Sequence, residues 1–227
     1  MRNLVIIGSG ALGQEVVWLI EEINSIKVEW NILGFLDDFG FEQKHQFLGY
    51  NCIGKVEDYH KFKDAYFVIA FGDPRLRKEI FENIGGENLS FATLISPTVR
   101  IHKTNKIGKG VVIGRYTDMT VNCDIDDFVY LNIHVVLGHE VKVGAFSIIS
   151  PNVTINGGAK IGTCCQIGAN AFVKDIVIDD FSTIGASSCV VKPVPEYCVV
   201  AGVPAKILHQ GTPNTSISRS ERFRDKS

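Results

Sequence analysis

In the stretch Leu131-Asn132-Ile133-His134-Val135-Val136-Leu137-Gly138-His139-Glu140-Val141-Lys142-Val143, an aliphatic residue returns at every sixth position and a compact one follows it after four. The same beat runs from Ile95 to about Val194. Ile95, Ile101, Ile107, Ile113, Met119 and Ile125 lead into Leu131; Ile149, Ile155, Ile161, Ile167 and Val173 follow Val143. One residue then drops out, and the beat resumes at Ile178, Ile184 and Val190. The compact partners include Val111, Thr117, Cys123, Val129, Ser147, Val153, Ala159, Cys165, Ala171 and Val177. A helix repeats about every 3.6 residues and a strand about every two, so neither yields a period of six. A period of six marks a parallel β-helix, in which three short strands make one triangular coil of about eighteen residues. Each inward aliphatic side chain contributes roughly 1.5–3 kcal/mol when buried, and coils must stack because none covers its own top and bottom. Glycine often follows the aliphatic residue, as at Gly108, Gly138 and Gly162, which reads as a corner too tight for a Cβ.

Upstream, Leu4–Ile7 reads as a buried strand running into Gly8-Ser9-Gly10-Ala11-Leu12-Gly13, a GxGxxG turn that opens a helix from Gln14 to about Ile23. A second strand, about Asn31–Leu36, ends in Asp37-Asp38, and a short helix follows near Val56–Phe62. A third strand, Ala65–Phe71, ends at Gly72; Asp73-Pro74 then caps a helix to about Asn83. A fourth strand near Ser90–Leu94 delivers the chain to the hexapeptides. Alternating strands and helices imply a small Rossmann-like parallel sheet over residues 1–94. The column then occupies 95–209, capped around Val200–Leu208. A polar tail, 210–227, has nothing to bury and is expected to be disordered.

A glycine turn before a helix can hold an anion on free N–H groups, and acids closing the second strand stand where a ribose contact belongs. Fewer than 100 residues precede the hexapeptides, room for one mononucleotide half and not two. That favours a nucleotide or nucleotide-sugar over NAD. A formal charge of −2 gives no reason to expect nucleic acid or an anionic membrane as partner, and no apolar run reaches the ~18 residues of a membrane span. Six cysteines without CxxC spacing argue against zinc and for a reduced, cytoplasmic protein.

Catalysis on such a column falls to what projects from its edges. Leu137 and Val141 point inward by the six-residue rule, so His139 and Glu140 project outward. One coil along stand Gly157 and Gly158, leaving a notch beside the imidazole. Histidine accepts a proton near neutral pH, and a neighbouring carboxylate orients it; a solvated surface pair is the bland alternative. Arg75 and Arg77, near the end of the third strand, read as a solvated helix face or as phosphate contacts.

Taken together, Gly8-Ser9-Gly10-Ala11-Leu12-Gly13-Gln14-Glu15-Val16, Gly34-Phe35-Leu36-Asp37-Asp38, Gly138-His139-Glu140, the hexapeptides and Gly202-Val203-Pro204-Ala205-Lys206 resemble the sialic acid O-acetyltransferase and nucleotide-linked amino-sugar N-acetyltransferase family, bacillosamine- and perosamine-type enzymes included. The likeness spans nearly all of residues 1–208. It implies a left-handed β-helix, a homotrimer, and acetyl-CoA in the cleft between adjacent columns. The resemblance gives His139 the role of general base and Glu140 that of raising its basicity. It gives Gly8, Ser9, Gly10, Leu12, Asp37, Asp38 and Gly72 the nucleotide-sugar. Ile148, Gly157, Ala169 and Ala186 fall at the coenzyme; no metal is implied. Ile148 and Leu12 stand where some relatives carry histidine. The expected activity is acetyl transfer from acetyl-CoA to the amine of a nucleotide-linked amino sugar. The alternatives are acetylation of a sugar hydroxyl, as in sialic acid, and a non-catalytic nucleotide-sugar scaffold.

Overall fold

Leu4-Val5-Ile6-Ile7 is apolar at every position because β1 (Arg2–Ile7) is an inner strand covered on both faces. The computed structural model describes residues 1–212. After β1 come α1 (Ala11–Ile26), β2 (Trp30–Leu36), α2 (Asp38–Glu42), β3 (Gln46–Phe47), β4 (Tyr50–Gly54), β5 (Tyr66–Ile69), α3 (Pro74–Asn83) and β6 (Ser90–Phe91). The sheet order is β3-β4-β2-β1-β5-β6, parallel except for the β3–β4 hairpin. α1 is longer than its sequence pattern announced, and Val56–Phe62 is a 3-10 helix. Asp73 caps α3 as expected, accepting from the N–H groups of Arg75 and Leu76 at 2.9 and 3.3 Å. The chain leaves the sheet through two short strands, not one: Ser90–Phe91 closes it, and Leu94–Ile95 already pairs with Val112–Ile113 of the column.

The column has three faces of two-residue parallel strands. The first carries Val112–Ile113, Tyr130–Leu131, Ile148–Ile149, Gln166–Ile167 and Thr183–Ile184. The second carries Asp118–Met119, Val136–Leu137, Thr154–Ile155, Phe172–Val173 and Cys189–Val190. The third carries Lys106–Ile107, Asp124–Ile125, Lys142–Val143, Lys160–Ile161 and Val177–Ile178. A hairpin of Cys198–Gly202 and Ala205–Gln210 closes the last coil. The expected tail lies outside the described residues from 213 onward.

From Ile113 to Val190 the aliphatic residue of each step is at most 3 % exposed. Ile101 is a correction: it stands 37 % exposed. A second correction concerns Val177, expected inside but 40 % exposed, while Ile176 packs against the core in its place. The dropped residue shortens that step, so the compact position moves one residue earlier. Polar residues in compact positions find carbonyls in the next coil: Thr117 Oγ1 donates to Asn132 O at 2.7 Å, Ser147 Oγ to Gly162 O at 2.6 Å and Ser182 Oγ to Pro195 O at 2.7 Å. A buried hydroxyl without such a partner is costly.

The glycines after the aliphatic residues leave no room for a Cβ, as expected, and do so without positive φ. Positive φ falls two residues later, at Tyr116, Asn122, Phe128, His134 and Glu140 (57° to 61°). Gly138 is instead required by stacking: a Cβ there would meet Gly157 N at 2.4 Å.

The sheet domain packs on the first face. Leu94, Val112, Tyr130 and Ile148 share one buried cluster with Val16, Val17 and Ile20 of α1. A second contact sets Phe81 and Phe91 against Phe128, which stacks on Phe146 at 4.8 Å and 7°. Arg77, expected on a solvated helix face, is 1 % exposed. Its Nε donates to Ile69 O at 3.3 Å and its Nη1 to Phe146 O at 3.4 Å, tying sheet to column. Burial lowers its pKa to about 10.

Candidate functional site

The six-residue rule throws His139 onto the edge between the second and third faces, and the structure places it there. Its side chain is 66 % exposed and that of Glu140 is 63 % exposed. The imidazole Nδ1 lies 3.4 Å from Glu140 Oε2. Glu140 reaches this position from a left-handed backbone, φ 60°, which for a residue with a Cβ costs roughly 1–2 kcal/mol. The ring lies over Gly157: a Cβ there would come within 2.6 Å of His139 Nε2. The bare backbone of Gly157 therefore makes room for the ring, Nε2 faces the notch, and Nδ1 faces the carboxylate. The arrangement is that of an exposed base with an orienting acid.

Ala169 and Ala186 stand elsewhere, on the edge between the first and second faces, where Gly168 packs so closely that a Cβ would meet Ala186 N at 2.5 Å. One chain does not bring these alanines to His139. Ile148 is a correction. It is 6 % exposed and sealed beneath the sheet domain with Tyr130 and Val112, so within this chain it offers no surface to a coenzyme.

In the sheet domain, Gly8, Ser9 and Gly10 cluster with Asp37 at the carboxyl ends of β1 and β2, beside the switch point where the strand order reverses. Gly8 (φ 108°) and Gly13 are demanded by the fold, since a Cβ would meet Ala70 O at 2.8 Å and Gly8 O at 2.1 Å respectively. Gly10 and Gly72 differ, for a Cβ at either would meet nothing within 4 Å. Gly10 caps α1 without a side-chain bond. Leu12, in the first turn of α1, packs against the sheet-side cluster. Both oxygens of Asp37 are engaged, accepting from Ser9 N–H and Gly40 N–H at 2.8 Å each. Asp38 Oδ1 accepts from Val56 N–H at 3.3 Å. Asp37 thus shapes the loop, and Asp38 is the more exposed of the two.

A cleft that sequence reasoning missed opens where α1 meets the same edge as Ala169 and Ala186, between the first and second faces and lower on the column. Its volume is about 180 Å³ and its lining includes Glu15, Trp18 and Glu22 from α1 and Arg115, Tyr130 and Asn132 from the column. Arg115 lies 3.3 Å over the Trp18 ring and 2.9 Å from Glu22. Burial raises the pKa of Glu15, partly offset by Arg115. Nothing in the chain order could announce this cleft, because its two walls meet only when the domains dock. Among the described residues no group of three His, Cys, Asp or Glu side chains is placed to hold a metal ion, and no helix is long and apolar enough to cross a membrane.

Residues 3–84 match the family described as the PglD N-terminal domain. PerB from Caulobacter crescentus, in a crystal structure with CoA and GDP-perosamine, superposes with a TM-score of 0.81 at 22% identity, covering 91% of this chain and 97% of that one. The acetyltransferase domain of PglB from Neisseria gonorrhoeae, in complex with acetyl coenzyme A, gives 0.81 at 27% identity, covering 91% and 99%. Serine acetyltransferase from Salmonella typhimurium is 32% identical over 134 residues, 57% of this chain and 45% of that enzyme; the chain thus spans under half the length of this curated relative.

Proposed function

We propose that this chain, which matches the PglD N-terminal domain over residues 3–84 and shares the fold of the PglB acetyltransferase domain, transfers an acetyl group from acetyl-CoA to the amine of a nucleotide-linked amino sugar. The observation that carries this reading is the exposed imidazole over Gly157, oriented by Glu140. The amine nitrogen attacks the thioester carbonyl carbon, and His139 Nε2 takes the proton the nitrogen sheds. The tetrahedral adduct then expels the CoA thiolate, which takes that proton back from the imidazolium. Glu140 supports the imidazolium through Nδ1. Ser and Cys nucleophiles are absent from the motif, so transfer is direct.

The glycine loop holds the nucleotide-sugar, with Gly10 leaving the approach to the α1 N-terminus open and Asp38 the more exposed carboxylate for a ribose hydroxyl. Gly157 on one edge and Ala169 and Ala186 on the other flank the coenzyme, which requires two copies of the chain. Three copies with their second faces turned to a common axis set the His139 edge of one beside the alanine edge of the next. The chemistry of the faces favours this choice. Beyond Asp118 the second face presents Val136, Thr154, Phe172 and Cys189, whereas the third presents Lys106, Asp124, Lys142 and Lys160 before Val177, and the lower first face lies under the chain's own sheet domain.

The test is CoA release from acetyl-CoA with a panel of UDP-, GDP- and dTDP-linked amino sugars, alongside free and CMP-linked sialic acid, with mass spectrometry of the product. Acetylation of an amino sugar is expected. Release with sialic acid alone would move the acceptor to a hydroxyl, and release with none would remove the proposal.

A further inference from the structure

Tyr130 carries one oxygen that the fold does not need. Its row on the first face runs Val112, Tyr130, Ile148, in one buried cluster with Val16, Val17 and Ile20 of α1. Such a position asks for an apolar ring, and phenylalanine would fill it. The tyrosine is 4 % exposed, and among the described residues its phenol has no hydrogen-bond partner. Glu15 from α1 and Arg77 from α3 act on it through their charge alone; Arg77 donates instead to Ile69 O and Phe146 O. Among the described residues no buried side-chain oxygen is both sealed from solvent and unbonded. The phenol oxygen therefore keeps an opening, and the opening beside Tyr130 is the cleft under α1. A buried tyrosine hydroxyl ordinarily finds a partner, and one left without costs stability. The other polar side chains of the cleft are engaged or open to water. Arg115 pairs with Glu22 and lies over the Trp18 ring, Asn132 Oδ1 accepts from Ile133 N–H at 2.7 Å, and Glu15 is exposed.

We propose that Tyr130 is a specificity residue whose phenol hydrogen-bonds a hydroxyl of the substrate's sugar in this cleft. The inference rests on the nucleotide-sugar reading above. A phenol both donates and accepts, which matches a hydroxyl. The attacking amine is not the group held, because a phenol donating to it would occupy the lone pair that attacks the thioester. A second depression, lined by Ala11, Gln14 and Phe47, shares Glu15 and Trp18 with the cleft. A continuous groove thus follows α1 from its first turn to Tyr130. Glu15 lines both parts and follows Gly10 by five residues, about 7.5 Å along the helix axis, so a sugar whose phosphate sits at the glycine loop reaches the phenol. The cleft lies on the edge that a neighbouring copy's His139 faces in the threefold arrangement, and the held sugar lies beside that base.

The experiment compares wild type with Tyr130→Phe, which removes one oxygen and keeps the ring. Calorimetry without acetyl-CoA measures binding of UDP-, GDP- and dTDP-linked amino sugars, and of UDP, GDP and dTDP alone. For the nucleotide-sugar that wild type binds most tightly, Kd should rise about 3- to 10-fold in the variant, the usual weight of a neutral hydrogen bond. Kd for the matching nucleoside diphosphate should not change, and the melting temperature of the free protein should hold or rise. Monodeoxy forms of that sugar locate the contact: one of them should bind wild type and variant equally. Unchanged affinity for the nucleotide-sugar means that the phenol meets only water. Equal weakening of nucleotide-sugar and diphosphate, or a lowered melting temperature, means that the hydroxyl serves the fold. Each of these overturns the inference. A protein that binds the sugars and acetylates none removes the acetyl-transfer reading and leaves this one standing. A wild type that binds none removes the nucleotide-sugar reading, and this inference with it.

Discussion

The two edges that flank the second face obey one steric rule and carry different chemistry. On one, Gly138-His139-Glu140 presents an exposed ring with a bare glycine one coil along. On the other, Ala169 and Ala186 present little beyond backbone, and lower down the docked sheet domain sets Glu15 and Trp18 beside the column's own Arg115. On the proposed reading neither edge makes a site alone. A repeating scaffold gives every edge the same shape, so its chemistry depends on which edge is decorated and which neighbour it meets.

The sharpest way to break the comparison is His139→Ala, which should lower kcat by about 10² to 10⁴ with no loss of thermal stability, because the ring is exposed. Mixing that variant with Ala186→Trp before assembly should restore activity at about a quarter of the sites if each site takes one half from each of two copies. No recovery would place both halves within one chain. Gly157→Ala attacks the same edge without touching the imidazole. Its Cβ would fall 2.6 Å from Nε2, so the ring must shift, and a displacement of about 1 Å costs roughly 10² in rate. Wild-type turnover in this variant would mean the ring works from another position.

Val136→Arg probes the face between the edges. Val136 is 42 % exposed in the single chain, and an unpaired charge buried at an interface costs about 2–5 kcal/mol. Sedimentation should show dissociated chains with unchanged circular dichroism, and activity should fall about tenfold at low concentration. An intact assembly would show that another face makes the contact. A last test concerns the core beneath. Burial pushes the Cys164 and Cys165 thiols up to about 12, whereas unfolded thiols ionise near ~8.5. Folded stability is therefore full below that value and falls as pH rises towards 12, by at most about 1.4 kcal/mol per pH unit for each thiol. Urea midpoints at pH 8 and pH 10 measure the drop.

The column was legible because its sterics act on every sixth residue, and one residue per step suffices to read it. What escaped were departures set by neighbours. Ile101 keeps the beat and yet stands exposed. Ile148 occupies an outward position and is buried only because another domain lies on it. The glycines of the column were legible as glycines, but coil stacking rather than a positive φ requires them. The β3–β4 hairpin is too short to show a period, and Arg77 reads as a surface cation until α3 presses it against Phe146 O. His139 could be placed from Leu137 and Val141 alone. The cleft beside Glu15 could not, since its column wall, Arg115 and Tyr130, stands some hundred residues away and meets α1 only through docking.

The short step between Val173 and Ile178 has one more consequence. Rungs of equal length can be stacked one place too high or too low with nearly the same packing. Only one step in the sustained run from Ile107 to Val190 is a residue short, and across it Lys160 must lie against Val177 where every earlier partner lies eighteen residues on. That step works like the odd tooth on a gear. It fits in a single place, and it indexes all the coils on either side of it.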